Sequence, residues 1–250
     1  MNTSILATLV IITAPASAQT TELAADPFAS ESGPSTDAPA LALNVPRRAL
    51  LSPRGVVEAS AGGHFTHIGT DVDSFDVVAE SVFLSLGLTS FLDGSLSLSS
   101  VQGPFGDPIV TASGSLGFGK TIRAVDLALF VEGGSDDGRL LIGGTGQARI
   151  HASDAFAINL TFHGGIVGDS PDLNGGAGLV WSPNGAFWLE LSGDLSTFDD
   201  LWKGATVRSG HAFALGSSIL DVWARVGFGG DDETSALSAS LHVAFASRLF

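Results

Sequence analysis

From Gly55 to the C-terminus, apolar and polar residues alternate with a period of two. In 186–195 the odd positions are Phe187, Leu189, Leu191, Gly193 and Leu195, and the even ones are Ala186, Trp188, Glu190, Ser192 and Asp194. In 125–132, Val125, Leu127, Leu129 and Val131 oppose Asp126, Ala128, Phe130 and Glu132. In 220–228, Leu220, Val222, Ala224, Val226 and Phe228 oppose Asp221, Trp223, Arg225 and Gly227. Such alternation over about ten residues describes strands with one face in an apolar medium and the other in a polar one. Twelve strands are predicted, at 56–67, 77–89, 95–101, 110–122, 125–132, 139–151, 156–166, 173–181, 186–195, 206–215, 220–228 and 237–249. The segment 95–101 is the weakest, and ten strands is the alternative count.

The connections sharpen the picture. Even-numbered strands are followed by turn-forming sequences: Leu92-Asp93-Gly94, Arg123-Ala124, Ser153-Asp154, Ser182-Pro183-Asn184-Gly185 and Ser217-Ser218. Odd-numbered strands are followed by acidic stretches carrying Asp71, Asp73 and Asp76, then Asp107, Asp136 and Asp137, Asp169 and Asp172, Asp199 and Asp200, and Asp231, Asp232 and Glu233. The expectation is a short–long alternation, as in a meander of hairpins whose two ends face different compartments. Closing that meander satisfies every backbone donor and acceptor, which a hydrocarbon medium requires. The fold class read from the chain is therefore all-β: a transmembrane antiparallel up-and-down β-barrel.

Composition agrees. The 250 residues include 32 Gly, and the charged fraction is only 15%, against about 25% in soluble domains. Mean hydropathy is +0.35, yet beyond the first twenty residues no apolar run reaches the ~18 residues of a helical span. With no cysteine, disulfides and thiolate metal sites are excluded. A net charge of −15 excludes binding to a nucleic-acid backbone.

Ahead of the barrel lie two other materials. Residues 1–18 read as a signal peptide: Ile5 to Ile12 is apolar and Ala16-Ser17-Ala18 is a small-residue cleavage site, although no Lys or Arg precedes the apolar run. Residues 19–53 carry Pro27, Pro34, Pro39, Pro46 and Pro53 with no periodicity, and read as a disordered tail. Residues 54–250 form the barrel. The basic cluster Arg47, Arg48 and Arg54 is placed at the junction.

On the signal peptide, the even strand count, the asymmetric connections and the terminal Phe250, the chain resembles Gram-negative outer-membrane β-barrels of the porin-like superfamily. The resemblance implies that Phe250 serves as an assembly signal for the barrel-insertion machinery and that the wall meets outer-membrane lipid and lipopolysaccharide. Here Leu241, Val243, Phe245 and Leu249 lie one residue out of step with Phe250, a departure that a terminal bulge would correct.

The inward-facing positions suggest a task. Strands two to four offer small residues, among them Ser81, Ser85, Ser97, Ser99, Thr111, Ser113 and Ser115. The others offer Asp126, Glu132, Arg139, Arg149, His163, Glu190, Asp194, Arg208, Asp221, Arg225 and His242. Hairpin geometry pairs Glu132 with Arg139 and Asp221 with His242, and sets Glu190 diagonal to Arg208. Two readings follow: charges that brace a filled barrel, or charges that set the selectivity of a narrow, weakly cation-preferring pore for ions or small solutes. A closed structural or adhesive barrel is the alternative. A barrel-embedded hydrolase is a weaker one, because the only close Ser–His pair, Ser209 and His211, falls on the lipid parity. No resident cofactor is expected. Asp136, Asp137, Asp231 and Asp232 are weak candidates for a loop-bound Ca²⁺ or Mg²⁺.

Overall fold

The computed structural model describes residues 43–104, 106–196, 202–231 and 233–249. The signal peptide, most of the tail, Asp199, Asp200, Asp232 and Phe250 with its assembly role lie outside the described residues. Within them, β1 (Val56–Thr70), β2 (Ser74–Gly87), β3 (Leu92–Gln102), β4 (Ile109–Ile122), β5 (Val125–Asp136) and β6 (Arg139–His151) are followed by β7 (Phe156–Val167), β8 (Ser170–Trp181), β9 (Phe187–Ser196), β10 (Trp202–Leu215), β11 (Ser218–Gly230) and β12 (Thr234–Arg248). Each strand pairs with its sequence neighbours, and β12 returns to β1, from Val56↔Arg248 to Thr70↔Thr234. The result is a closed barrel of twelve antiparallel strands with no open edge.

The period-two pattern settles which face is which. Leu98, Leu116, Leu129, Phe162, Leu191, Val226 and Leu241 are exposed on the outside, as a lipid-facing belt must be in the absence of lipid. Their sequence neighbours point into the lumen and are mostly buried or half-buried. Phe156 stacks on Trp181 with ring centroids 6.4 Å apart, outward at the end of the barrel that carries both termini. His211 sits on the same outer face against Phe213, 4.6 Å between rings, and pairs in register with Phe187. An imidazole on the lipid parity is thus placed beside an aromatic belt, where amphipathic rings meet headgroups.

The expected alternation of short turns and long loops is not found. Connections at the terminal end run over 88–91, 123–124, 152–155, 182–186 and 216–217, and those at the opposite end are no longer as a class, three of them being 71–73, 137–138 and 168–169. The acids taken as loop markers lie partly within strands: Asp136 ends β5 and Asp172 is in β8, both facing inward and buried. A wet lumen tolerates carboxylates, so the ladder continues through them to a two-residue turn. At Asp137-Gly138 both residues have positive φ, +48° and +77°, the geometry that matches strand twist in tight hairpins. Acidity, not loop length, distinguishes the two ends.

The face assignment predicts opposite outcomes for neighbouring substitutions. Leu98→Arg puts a charge on the lipid face and should destabilise the barrel by about 2–4 kcal/mol. Ser97→Arg, one residue away and facing the lumen, should cost much less. Denaturant-dependent unfolding in lipid vesicles, followed by tryptophan fluorescence, measures both.

Candidate functional site: a polarised lumen and its plug

Two chemically different walls line the lumen. On β3 and β4, Ser95 and Ser115 lie with their hydroxyls 2.7 Å apart, as do Ser97 and Ser113, with Ser99↔Thr111 next in register. Short hydroxyl side chains that bond one another leave space in front of them. The opposite wall, β6 to β11, carries the ionic groups. Glu190 and Arg208 are directly opposed rather than diagonal, 3.5 Å apart, and Asn159 Nδ2 donates to Glu190 Oε1 at 3.3 Å. Arg225 is the register partner of Arg208, with Asp194 close enough to both to offset their charge. Between the walls is a cavity of about 380 Å³, lined in part by Leu50.

Two predicted pairs are replaced by others. Because β5 continues to Asp136, Arg139 bonds that residue at 2.8 Å and not Glu132, whose register partner is Gly143. Glu132 lies 3.6 Å from His163, which also stands 3.7 Å from Asp172 and 2.8 Å from Thr145 Oγ1. The turn between β11 and β12 lies between Gly230 and Thr234, with Gly230 opposite Ser235, one residue further along than a pairing of Asp221 with His242 requires. Asp221 therefore opposes Ala244, and His242 opposes Trp223. His242 stacks flat on Trp223, 5.1 Å between rings, with His64 edge-on at 4.6 Å.

Asp221 is instead taken by a group that the sequence reading placed outside the barrel. Residues 43–53 are not a tail: they enter the terminal end of the lumen and pack there. The 3-10 turn Val45–Arg47 is followed by Arg48, which is 1% exposed and forms a two-pronged ion pair with Asp221. Arg149 donates to the carbonyls of Arg48 at 2.5 Å and Val45 at 3.3 Å, and to Asn159 at 2.8 Å. His151 lies 2.7 Å from the Pro46 carbonyl and 2.9 Å from Asp126, and Thr121 donates to the other oxygen of Asp126. Ser52 is fixed to β3 and β2 through Asp93 at 3.2 Å and Ser85 at 2.9 Å. Val45 packs on Trp188 and Trp223, and Leu50 and Leu51 pack on Ala128 and Phe130. Arg47 pairs with Asp154 at the rim.

A five-proline segment was read as disordered because it has no period. Within its described part, 43–53, Val45, Leu50 and Leu51 pack on apolar side chains of the wall and Arg48 is bound by Asp221. The inward residues Glu58, His64 and Asp93 were also missed. Along the middle of β1 the outward positions Ala59, Ala61 and Gly63 are too small to make the alternation visible. Among the acidic candidates for a cation, Asp136 is occupied by Arg139 and Thr111, and Asp231 accepts the backbone N–H groups of Glu233 and Thr234. Among the described residues no three acidic or imidazole groups converge as a metal site.

Arg149 joins plug and wall among carboxylates. Arg149→Met removes three hydrogen bonds and the cation lying near Glu190 and Asp126. It should lower the unfolding free energy by about 3–5 kcal/mol, read as a fall in the denaturant midpoint.

No family model and no curated protein matches this chain. Solved structures do. The KdgM porin in complex with disordered oligogalacturonate superposes with a TM-score of 0.55 at 8% identity, covering 76% of this chain and 99% of its own. An outer membrane channel from Pseudomonas putida F1 gives 0.53 at 12%, covering 79% and 96%. The translocator domain of the autotransporter NalP from Neisseria meningitidis gives 0.52 at 11%, covering 78% and 90%. At such identities the likeness is one of fold, a closed antiparallel β-barrel shared with these outer-membrane proteins.

Proposed function

We propose that this chain is an outer-membrane channel that passes ions or small polar solutes, with a weak preference for cations. The observation that carries the reading is the cavity of about 380 Å³ between a hydroxyl wall and an ionic wall, inside a barrel whose outer surface is apolar. Twelve strands enclose a narrower bore than the sixteen of a large porin, which limits cargo to small species.

The cation preference rests on charge. Inward carboxylates are Glu58, Asp93, Asp126, Glu132, Asp136, Asp172, Glu190, Asp194 and Asp221, against the guanidiniums of Arg48, Arg139, Arg149, Arg208 and Arg225. The excess is negative, and low-dielectric walls focus its field along the axis. Channel and porin neighbours support a non-enzymatic role. So does the placement of Ser209 and His211 on the outer face, away from the lumen. On this reading the partners are lipid and lipopolysaccharide along the belt and the barrel-assembly machinery during insertion. A closed structural barrel is the second reading, favoured by the plug at the terminal end.

Conductance of the reconstituted protein in a planar bilayer under a salt gradient tests the proposal. Discrete current steps with a cation-selective reversal potential are expected, and Glu190→Ala or Asp194→Ala should move that potential toward zero. The channel reading fails if the inserted barrel passes no current at any holding potential, both in the wild type and in variants that loosen residues 43–53.

A further inference from the structure

Residues 43–53 span the lumen rather than line it. They bond to β2 and β3 through Ser52, to β6 through the carbonyls of Val45, Pro46 and Arg48, and to β11 through Arg48. They also pack on Trp188 of β9. In a ring of twelve strands, β3, β6, β9 and β11 lie on all sides, so the segment crosses the bore, and its Leu50 lines the cavity. The attachment to the wall is narrow. Pro53 and Gly55, the latter at φ +73°, turn the chain from β1 into the lumen, and a side chain at Gly87 would collide with the Pro53 carbonyl.

One of the anchors that hold the segment is a buried cation. Arg48 is enclosed by Asp221, with Glu58 and Asp93 in the same electrostatic neighbourhood. Glu58 is 1% exposed, and neither of its carboxylate oxygens has a hydrogen-bond partner among the described residues. A buried carboxylate without a hydrogen bond is costly, and an inward strand position regains water if the plug withdraws. The seated state is thus opposed by a penalty on Glu58 and held by the ion pair of Arg48.

Resting on the channel reading above, we propose that residues 43–53 are a displaceable gate latched by Arg48, and that the carboxylates of the latch, Asp221 and Glu58, become the cation-selecting constriction once the gate is open. Asp221 then locks the closed state, and both carboxylates filter the open one. Withdrawal of Arg48 removes one positive charge from the bore and leaves these carboxylates facing the path.

The absence of cysteine makes a clean test available. The hydroxyls of Ser52 and Ser85 are 2.9 Å apart, within reach of a disulfide once both are cysteine. In Ser52→Cys/Ser85→Cys, oxidation should abolish current and reduction should restore it; equal current in both states would overturn the gate. Arg48→Ala should raise open probability at least about tenfold, since breaking one partner of a buried pair is strongly destabilising. It should also give the more cation-selective channel, and adding Asp221→Asn should remove that gain; unchanged selectivity would overturn the filter. Ser52→Cys alone should react slowly with an impermeant maleimide and at least about tenfold faster with Arg48→Ala added. Faster labelling in a silent bilayer keeps the gate and sinks the channel. Conduction with labelling unchanged by Arg48→Ala sinks the gate and keeps the channel.

Discussion

Hydrocarbon cannot hydrogen-bond a peptide group, and the structure follows from that deficit. Every strand must have a partner on both sides, so the sheet has to close, and β1 must find β12 across the whole length of the barrel. Closure fixes two faces of opposite solvent preference, and the period-two sequence is the imprint of those faces. Once the outer face is given over mainly to Leu, Val and Phe, most of the polar chemistry of the strands is confined to the inside. The concentration of charge in the lumen is as much a consequence of membrane solvation as of any task performed there.

Within that confinement the ionic groups are arranged and not merely accumulated. The hydroxyl wall of β3 and β4 is self-satisfied: each Ser–Ser contact leaves a surface that can exchange bonds with water at little cost. The ionic wall is satisfied crosswise, Glu190 with Arg208 and Asn159, His163 between Glu132 and Asp172. At the terminal end the wall is incomplete by itself. Asp221 and Asp126 are completed by Arg48 and by the network of His151 and Arg149, which also hold the carbonyls of residues 45–48. Plug and wall therefore form one polar network, with an apolar contact on each flank.

The barrel was legible because alternation is a global property that survives local noise. Even the short third strand, with Leu96 and Leu98 between Ser95, Ser97 and Ser99, kept its parity. The direction of each lumen side chain was legible for the same reason. Pairing was not, since register depends on where a hairpin turns. Asp137-Gly138 turns tightly enough to carry Asp136 into β5, and the β11–β12 turn sets Gly230 opposite Ser235, which reassigns Arg139 and Asp221. The plug was illegible for a different reason. Its structure is imposed by contacts separated by more than one hundred residues, such as Arg48 with Asp221 and Arg149, and no local pattern encodes them.

The seam between the first and last strands has a consequence for how the molecule is made. Its partners are far apart in the chain, Val56 with Arg248 at the extreme, so no hairpin brings them together in advance and their pairing carries the largest loop-closure entropy in the fold. Residues 43–53 directly precede β1 and take Asp221 on β11, two strands beyond the seam. The segment thus bridges the very gap that must shut last. A strap laid across an unfinished cylinder shortens the search of its two edges for each other.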